Sequence, residues 1–166
     1  MQVNIALLTV TDTRTIETDK SGAILVKKID EQNHKLIDRK LVKDEKELIK
    51  KILSEWIKKD NIDVIITTGG TGLTGRDITP EAIKDLAGKE IPGFGELFRE
   101  LSYKTVGTSA MQSRACAVLA NGKYIFALPG SLGGVTDAWD GILKYQLDIN
   151  HKPCNFVELF PRLKEK

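Results

Sequence analysis

The stretch Val3–Val10 restricts the fold more than any other part of the chain. It reads Val-Asn-Ile-Ala-Leu-Leu-Thr-Val, nearly all apolar and rich in branched side chains. That is the composition of a strand covered on both faces. Such a strand needs a parallel sheet with helices on either side, and the following segments supply the alternation. After the polar loop Thr11–Lys20, Asp19 or Ser21 caps a helix reaching about Gln32, with Ile24, Leu25, Lys28 and Ile29 along one side. Leu36–Val42 reads as a second strand, nearer an edge. Asp44-Glu45-Lys46-Glu47 has the form of a capping box, and it opens a helix with Leu48, Ile49, Ile52, Leu53, Trp56 and Ile57 at helical spacing.

Asp63–Thr68 is expected to be the most central strand. Thr79-Pro80-Glu81 starts the next helix, with a capping hydroxyl, proline at the first position and an acid in the first turn. Pro92-Gly93 breaks the chain before a helix over Phe94–Ser102. Arg114–Ala120 and Lys123–Leu128 pair through Asn121-Gly122, the strongest short hairpin signal. A helix follows from about Val135 to Leu147, and the tail 153–166 is expected to pack loosely. The pattern predicts an α/β protein: a three-layer α/β/α sandwich whose sheet is mostly parallel, with one antiparallel hairpin strand.

Composition narrows the function. The 166 residues suit a single domain, 1–166. A formal charge of +2 and 6% aromatics argue against nucleic-acid or membrane partners. Cys116, Cys154, His34 and His151 are scattered, which excludes a disulfide framework and a zinc cluster. No apolar run approaches the roughly 20 residues of a membrane helix, and Met1-Gln2-Val3-Asn4-Ile5 has no basic leader region. A cytoplasmic protein is expected. Trp56 and Trp139 read as core, and Cys116 as a buried small residue.

Three loops carry the candidate chemistry, because ligands of open α/β sheets sit beyond the carboxyl ends of the strands. The first is Thr68-Gly69-Gly70-Thr71-Gly72-Leu73-Thr74-Gly75-Arg76-Asp77. Its glycines let backbone amides converge on an anion, its threonines add neutral donors, and Arg76 adds charge. Gly70, Gly72 and Gly75 match a dinucleotide fingerprint, but after the third strand and with the helix delayed to Thr79. The lysine of a P-loop is missing. The second feature is the pair Asp44 and Asp77, each just past a parallel strand, where two carboxylates beside a phosphate nest can hold Mg²⁺. Asp44 also suits an N-cap. The third is Pro129-Gly130-Ser131, a strand-to-helix turn with a hydroxyl and spare amides. Ser109, Ser113 and Arg114 add hydroxyls and a guanidinium suited to phosphate or a polar heterocycle, although Arg114 also fits a surface ion pair.

The run from Thr68 through Arg76-Asp77-Ile78-Thr79-Pro80-Glu81-Ala82 resembles the signature of the molybdenum-cofactor biosynthesis family that includes MoaB and MogA. So do Pro92-Gly93-Phe94-Gly95-Glu96, Ser113-Arg114 and Leu128-Pro129-Gly130. The resemblance runs from Ile5 to about Phe156. Pro129-Gly130-Ser131 and Lys152-Pro153-Cys154-Asn155-Phe156 are similar to the MoaB branch. It implies a molybdopterin-binding fold, assembled as a homotrimer or a homohexamer of paired trimers. The implied activity is that of a nucleotidyltransferase, adenylylation of molybdopterin by ATP with Mg²⁺. The resemblance implies Asp44 and Asp77 as the essential, metal-holding carboxylates. Thr68, Gly69, Gly70, Thr71, Gly72, Arg76, Thr79, Ser109, Ser113, Arg114, Pro129, Gly130 and Ser131 are the expected contacts to nucleotide or pterin phosphate. A non-catalytic molybdopterin carrier or chaperone is the alternative. A nucleotide-dependent oxidoreductase is disfavoured by the misplaced fingerprint.

Overall fold

The computed structural model describes residues 1–165. Its strands are β1 (Asn4–Val10), β2 (Lys35–Val42), β3 (Val64–Thr68), β4 (Lys89–Glu90), β5 (Cys116–Ala120) and β6 (Lys123–Leu128). They form one six-stranded sheet in the order β2-β1-β3-β6-β5-β4. The β2–β1, β1–β3 and β3–β6 pairs are parallel, whereas β5 is antiparallel to both β6 and β4. The sheet is therefore parallel with one reversed strand, as expected. β3 lies inside and β2 at an edge. The two-residue β4 has no signal in the sequence, because it is too short to show a period.

Six helical segments cover the sheet: α1 (Lys20–Glu31), α2 (Lys46–Ile57), α3 (Thr79–Lys84), α4 (Pro92–Val106), α5 (Leu132–Ala138) and α6 (Lys144–Gln146). Side chains alternate across the strands, so each strand feeds two cores. Ile5, Leu7, Val64, Ile66, Phe126 and Leu128 pack with Leu25 and Ile29 of α1, Phe94 and Phe98 of α4, and Val135 and Trp139 beyond β6. Ala6, Leu8, Ile65, Ile125 and Ala127 pack on the other face with Ile49, Leu53 and Trp56 of α2 and Ala82 and Ile83 of α3. Both tryptophans are core residues, and the Trp56 indole donates to Asp38 Oδ2 at 2.9 Å.

Several ends differ from expectation for local reasons. α4 begins at Pro92, because proline's missing N–H and fixed φ suit the first helical position. It runs on to Val106, where Gly107 turns the chain at φ 59°. The last long helix starts at Leu132, three residues early, and passes through a π-helical turn over Trp139–Leu143 between α5 and α6. There Gly141 sits so close to α4 that a Cβ would lie 2.4 Å from Leu101 Cδ1. The hairpin forms as predicted, with Asn121 and Gly122 both at positive φ, 48° and 76°. The tail does not pack loosely. Phe156 and Phe160 stand 4.6 and 5.8 Å from the Tyr124 ring, and Val157 is buried in a 3₁₀ turn, Val157–Arg162. Tyr124 presents an aromatic surface that the tail covers, and covering it removes apolar area from water. Lys166, the last residue of that expected tail, lies outside the described residues.

Candidate functional site

The loops leaving β1, β2, β3 and β6 share the carboxyl-end rim of the sheet. The glycine loop after β3 is held from both sides. Gly69 N–H donates to Leu128 O at 3.0 Å, and the Thr79 hydroxyl donates to Gly69 O at 2.9 Å. Gly69 and Gly70 adopt φ of 100° and 68°. A Cβ on Gly69 would meet Val10 O at 2.2 Å, and one on Gly70 would meet Thr79 Oγ1 at 2.4 Å and Asp44 Oδ1 at 3.1 Å. Only glycine fits a left-handed backbone at that spacing.

Asp44 thus lies against Gly70. It does not cap α2: the cap position falls on Glu45 and has no side-chain hydrogen bond, so no capping box forms. Burial, then the nearby Asp12 and Asp77 charges, push the Asp44 carboxyl above its ordinary value, against the pull of Arg76. Asp77 sits under Gly72, where a Cβ would be 2.8 Å from Asp77 Oδ2. Its Oδ2 accepts the Thr74 N–H at 2.8 Å and the Thr74 hydroxyl at 2.7 Å. Burial raises the Asp77 carboxyl, but those bonds, a Gly72 amide and the Arg114 charge outweigh it and hold it below the usual range. The two carboxylates flank one glycine loop and are unlike: Asp77 is fixed and ionised, whereas Asp44 is held in repulsion.

Thr79 does not cap α3 either, because it is the first helical residue and its hydroxyl fastens the loop instead. Thr68 donates to Pro129 O at 2.8 Å, tying the glycine loop to the turn after β6. The Ser131 hydroxyl, expected to be free, accepts the Gly134 N–H at 3.1 Å as the cap of α5. Arg114 is committed inside the protein. Its backbone N–H donates to Thr71 O at 2.9 Å, Nε to Gly72 O at 2.7 Å and Nη2 to Asp77 O at 2.8 Å, while Nη1 bonds Glu81 Oε1. The expected phosphate contact is a brace for the loop. Ser113 accepts the Ala115 N–H at 3.3 Å.

Asp12 was not singled out by sequence. It follows β1 in the loop Thr11–Lys20 and forms a fork with Arg76: Oδ2 accepts Nε and Oδ1 accepts Nη2, both at 2.9 Å. Its Oδ1 also accepts the Asp44 N–H at 3.2 Å. The available signal was an aspartate just past the carboxyl end of a buried strand.

Two cavities flank this centre. One, of about 420 Å³, is lined by Asp12, Arg14, Asp44, Thr68, Gly69 and Gly130 among others. The second, of about 460 Å³, brings together Thr71, Gly72, Ser109, Ser113 and Pro129 with Phe98, Val106 and Ala110. Ser131 lines both. The candidate residues scattered from 44 to 131 therefore meet on one rim. Among the described residues, no three His, Cys, Asp or Glu side chains converge tightly enough to hold a metal by themselves. The donor set still fits Mg²⁺, which usually takes one or two carboxylates and completes its shell with phosphate oxygens and water.

The fold is that of an α/β protein with a glycine loop at the carboxyl ends of its parallel strands, two carboxylates against that loop and two clefts beside it. Residues 6–148 match the family model described as "Probable molybdopterin binding domain". Molybdenum cofactor biosynthesis protein B of Escherichia coli K12 is 45% identical over 161 residues, covering 97% of this chain and 93% of that protein. The protein of the same name from Staphylococcus aureus MRSA252 is 48% identical over 149 residues, 88% of each. A crystal structure of a molybdenum cofactor biosynthesis protein B superposes with a TM-score of 0.89 at 40% identity, covering 100% of this chain and 98% of that one. The chain belongs to this molybdopterin-binding family, in its MoaB branch.

Proposed function

We propose that the protein acts in molybdenum cofactor biosynthesis by transferring AMP from ATP to the terminal phosphate of molybdopterin. The observation that carries this reading is the placement of Asp44 and Asp77 against Gly70 and Gly72 of one loop, with Asp44 lining one adjoining cleft and Gly72 the other. A phosphate monoester is mostly a dianion at pH 7, so the nucleophile needs no general base. Its oxygen attacks the α-phosphorus, the bond to the bridging oxygen breaks, and pyrophosphate leaves with that electron pair. The chemical obstacle is bringing two anions together, so positioning and charge neutralisation carry the catalysis.

With the Gly69 and Gly72 amides committed to Leu128 O and Asp77, the Gly70 and Thr71 amides are the ones the loop offers to phosphate oxygens, and Arg76 offers a guanidinium at its outer end. Asp44 and Asp77 would hold Mg²⁺, which neutralises polyphosphate charge. The carboxylate-bearing cleft suits the polyphosphate. The cleft with Phe98, Val106 and Ala110 suits a flat heterocycle, with Ser109 and Ser113 as polar contacts. Tyr103, Val106 and Met111 are exposed hydrophobic side chains at the end of α4 and in the turn after it, which accords with the expected homotrimer. None of the described helices is long and apolar enough to cross a membrane.

The test is to incubate the protein with molybdopterin, ATP and Mg²⁺ and to follow pyrophosphate and adenylylated pterin. Both products should appear together. Binding of molybdopterin without turnover would replace this reading with that of a carrier.

A further inference from the structure

Arg76 is a rim guanidinium held by one partly exposed carboxylate. Its side chain is 59% exposed, and its partner Asp12 is 35% exposed. The Nε–Nη2 edge is one of the two guanidinium edges that bind phosphate in fork geometry. In this structure that edge is closed by Asp12, through two bonds of 2.9 Å. Arg114 is tied to loop carbonyls and has no comparable freedom, whereas Arg14, also on this rim, makes one side-chain bond, to Gly130 O at 3.3 Å.

From this we infer that Asp12 is a latch on Arg76: it occupies the phosphate-binding edge at rest and gives it up to an incoming polyphosphate. The inference rests on the reading of this rim as a nucleotide site. Three facts carry it. Asp12, Asp44 and Arg76 come from three successive strand-end loops and meet at one carboxylate. The pair is exposed, so water screens it and breaking it costs little. A polyphosphate carries several negative charges against the single charge of Asp12, so the exchange favours the ligand. The exchange also leaves Asp12 beside Asp44 without its countercharge. Moving Arg76 leaves the Asp12 and Asp44 carboxylates side by side facing any divalent cation there. Nucleotide and cation binding are thereby coupled through one side chain. Asp12 is a positioning residue in this scheme, because it acts through Arg76.

The test is a double-mutant cycle read by calorimetric binding of ATP with Mg²⁺ omitted and chelator present, alongside MgATP binding. Asp12→Asn keeps the acceptor for the Asp44 N–H and removes the charge that closes the fork. It should tighten metal-free ATP by about two- to fivefold, the size of an exposed ion pair. In an Arg76→Ala background the same substitution should change nothing. It should also weaken the gain in affinity that Mg²⁺ confers on the wild type. Equal tightening in both backgrounds would mean general charge repulsion and would overturn the latch, as would weaker binding by Asp12→Asn. If the wild type bound neither ATP nor MgATP, the nucleotide reading itself would fall, which is a separate outcome. As a direct readout, the Arg76 Nε–H resonance should shift on ATP addition in the wild type. A resonance that stays at its Asp12-paired position while ATP is bound would also overturn the exchange.

Discussion

Replacing Arg114 with alanine removes three side-chain bonds at once: to Gly72 O, to Asp77 O and to Glu81 Oε1. Hydrogen bonds to charged groups contribute about 1.5–3 kcal/mol each when buried. The Arg114 side chain is 31% exposed and Glu81 39%, so screening reduces the ion-pair part to the level of a partly exposed contact. The two bonds to carbonyls dominate, and a net loss of about 2–3 kcal/mol follows. In a domain of this size that lowers Tm by roughly 5–10 °C. The effect must appear in the ligand-free protein, because every partner belongs to the loop or to α3. The functional loss should exceed the stability loss. Asp77 O is one of the anchors, so releasing it lets the carboxylate drift, and a displacement near 1 Å at a reacting centre costs about 10²-fold in rate. Arg114→Lys keeps a charge for Glu81 but cannot span both carbonyls, so it should recover part of the Tm and little of the rate. Thermal unfolding without ligand, together with kcat and KM for ATP, separates the two roles. If Arg114→Ala kept the wild-type Tm and raised only KM for ATP, Arg114 would be a phosphate contact and the brace would be refuted.

Three other perturbations follow from the same geometry. Asp77→Asn should leave molybdopterin binding largely intact and abolish adenylyl transfer, and near-wild-type pyrophosphate release would remove Asp77 from the mechanism. Gly70→Ala forces a Cβ to within 2.4 Å of Thr79 Oγ1 at φ 68°; the strain should cost about 1–3 kcal/mol, measured by denaturant unfolding, with MgATP binding lost in parallel. His34, at the opposite end of the sheet, is buried with Nδ1 accepting the Val3 N–H at 3.3 Å, and burial lowers its pKa below 6.5. The unfolded chain therefore binds the proton first. His34 supports stability above pH 6.5, and that support declines as pH falls from 6.5 toward the folded-state value. Urea midpoints at pH 7.5 and 5.5 should differ less in His34→Gln than in the wild type.

The parts of the site written as local pattern were legible in the sequence, and the parts made by approach in space were not. Val3–Val10, Asp63–Thr68 and the Asn121-Gly122 hairpin announce themselves because burial and turn geometry act on neighbouring residues. The rim position of Asp44 and Asp77 also follows from the topology, since both lie in loops that leave the carboxyl ends of parallel strands. The duties of single side chains depend on what arrives from elsewhere. Thr79 has the composition of a cap, yet Gly69 O lies within reach and takes its hydroxyl. Asp44 has the composition of a capping box, yet the N-terminus of α2 begins a residue later and leaves the carboxylate facing Gly70. Arg114 lies 42 residues from its Gly72 partner and 37 from Asp77, so no spacing rule could have assigned it to the loop. Tail packing was missed for the same reason: Phe156 and Phe160 find Tyr124 only after the sheet forms.

Arg114 and Arg76 divide their work on the rim by exposure. Arg114 is enclosed by the loop it braces, and an anion would have to break several bonds to reach it. That makes it a fixed positive background beside Asp77, adding to the Thr74 and Gly72 hydrogen bonds that hold that carboxyl below its ordinary range. Arg76 is exposed and paired with a single carboxylate, so it can change partners at little cost. A site that must accept a highly charged ligand and then release a charged product benefits from one cation of each kind. A fixed charge alone would hold pyrophosphate as firmly as ATP. A movable one can return to Asp12 once the polyphosphate leaves, and the return restores the countercharge beside Asp44. Locking Arg76 to position 12 should slow nucleotide entry, and freeing it should slow pyrophosphate release. Stopped-flow measurements on Asp12→Asn should therefore show slower dissociation of pyrophosphate with unchanged or faster association of ATP. The opposite ordering of those two rates would refute the division of roles.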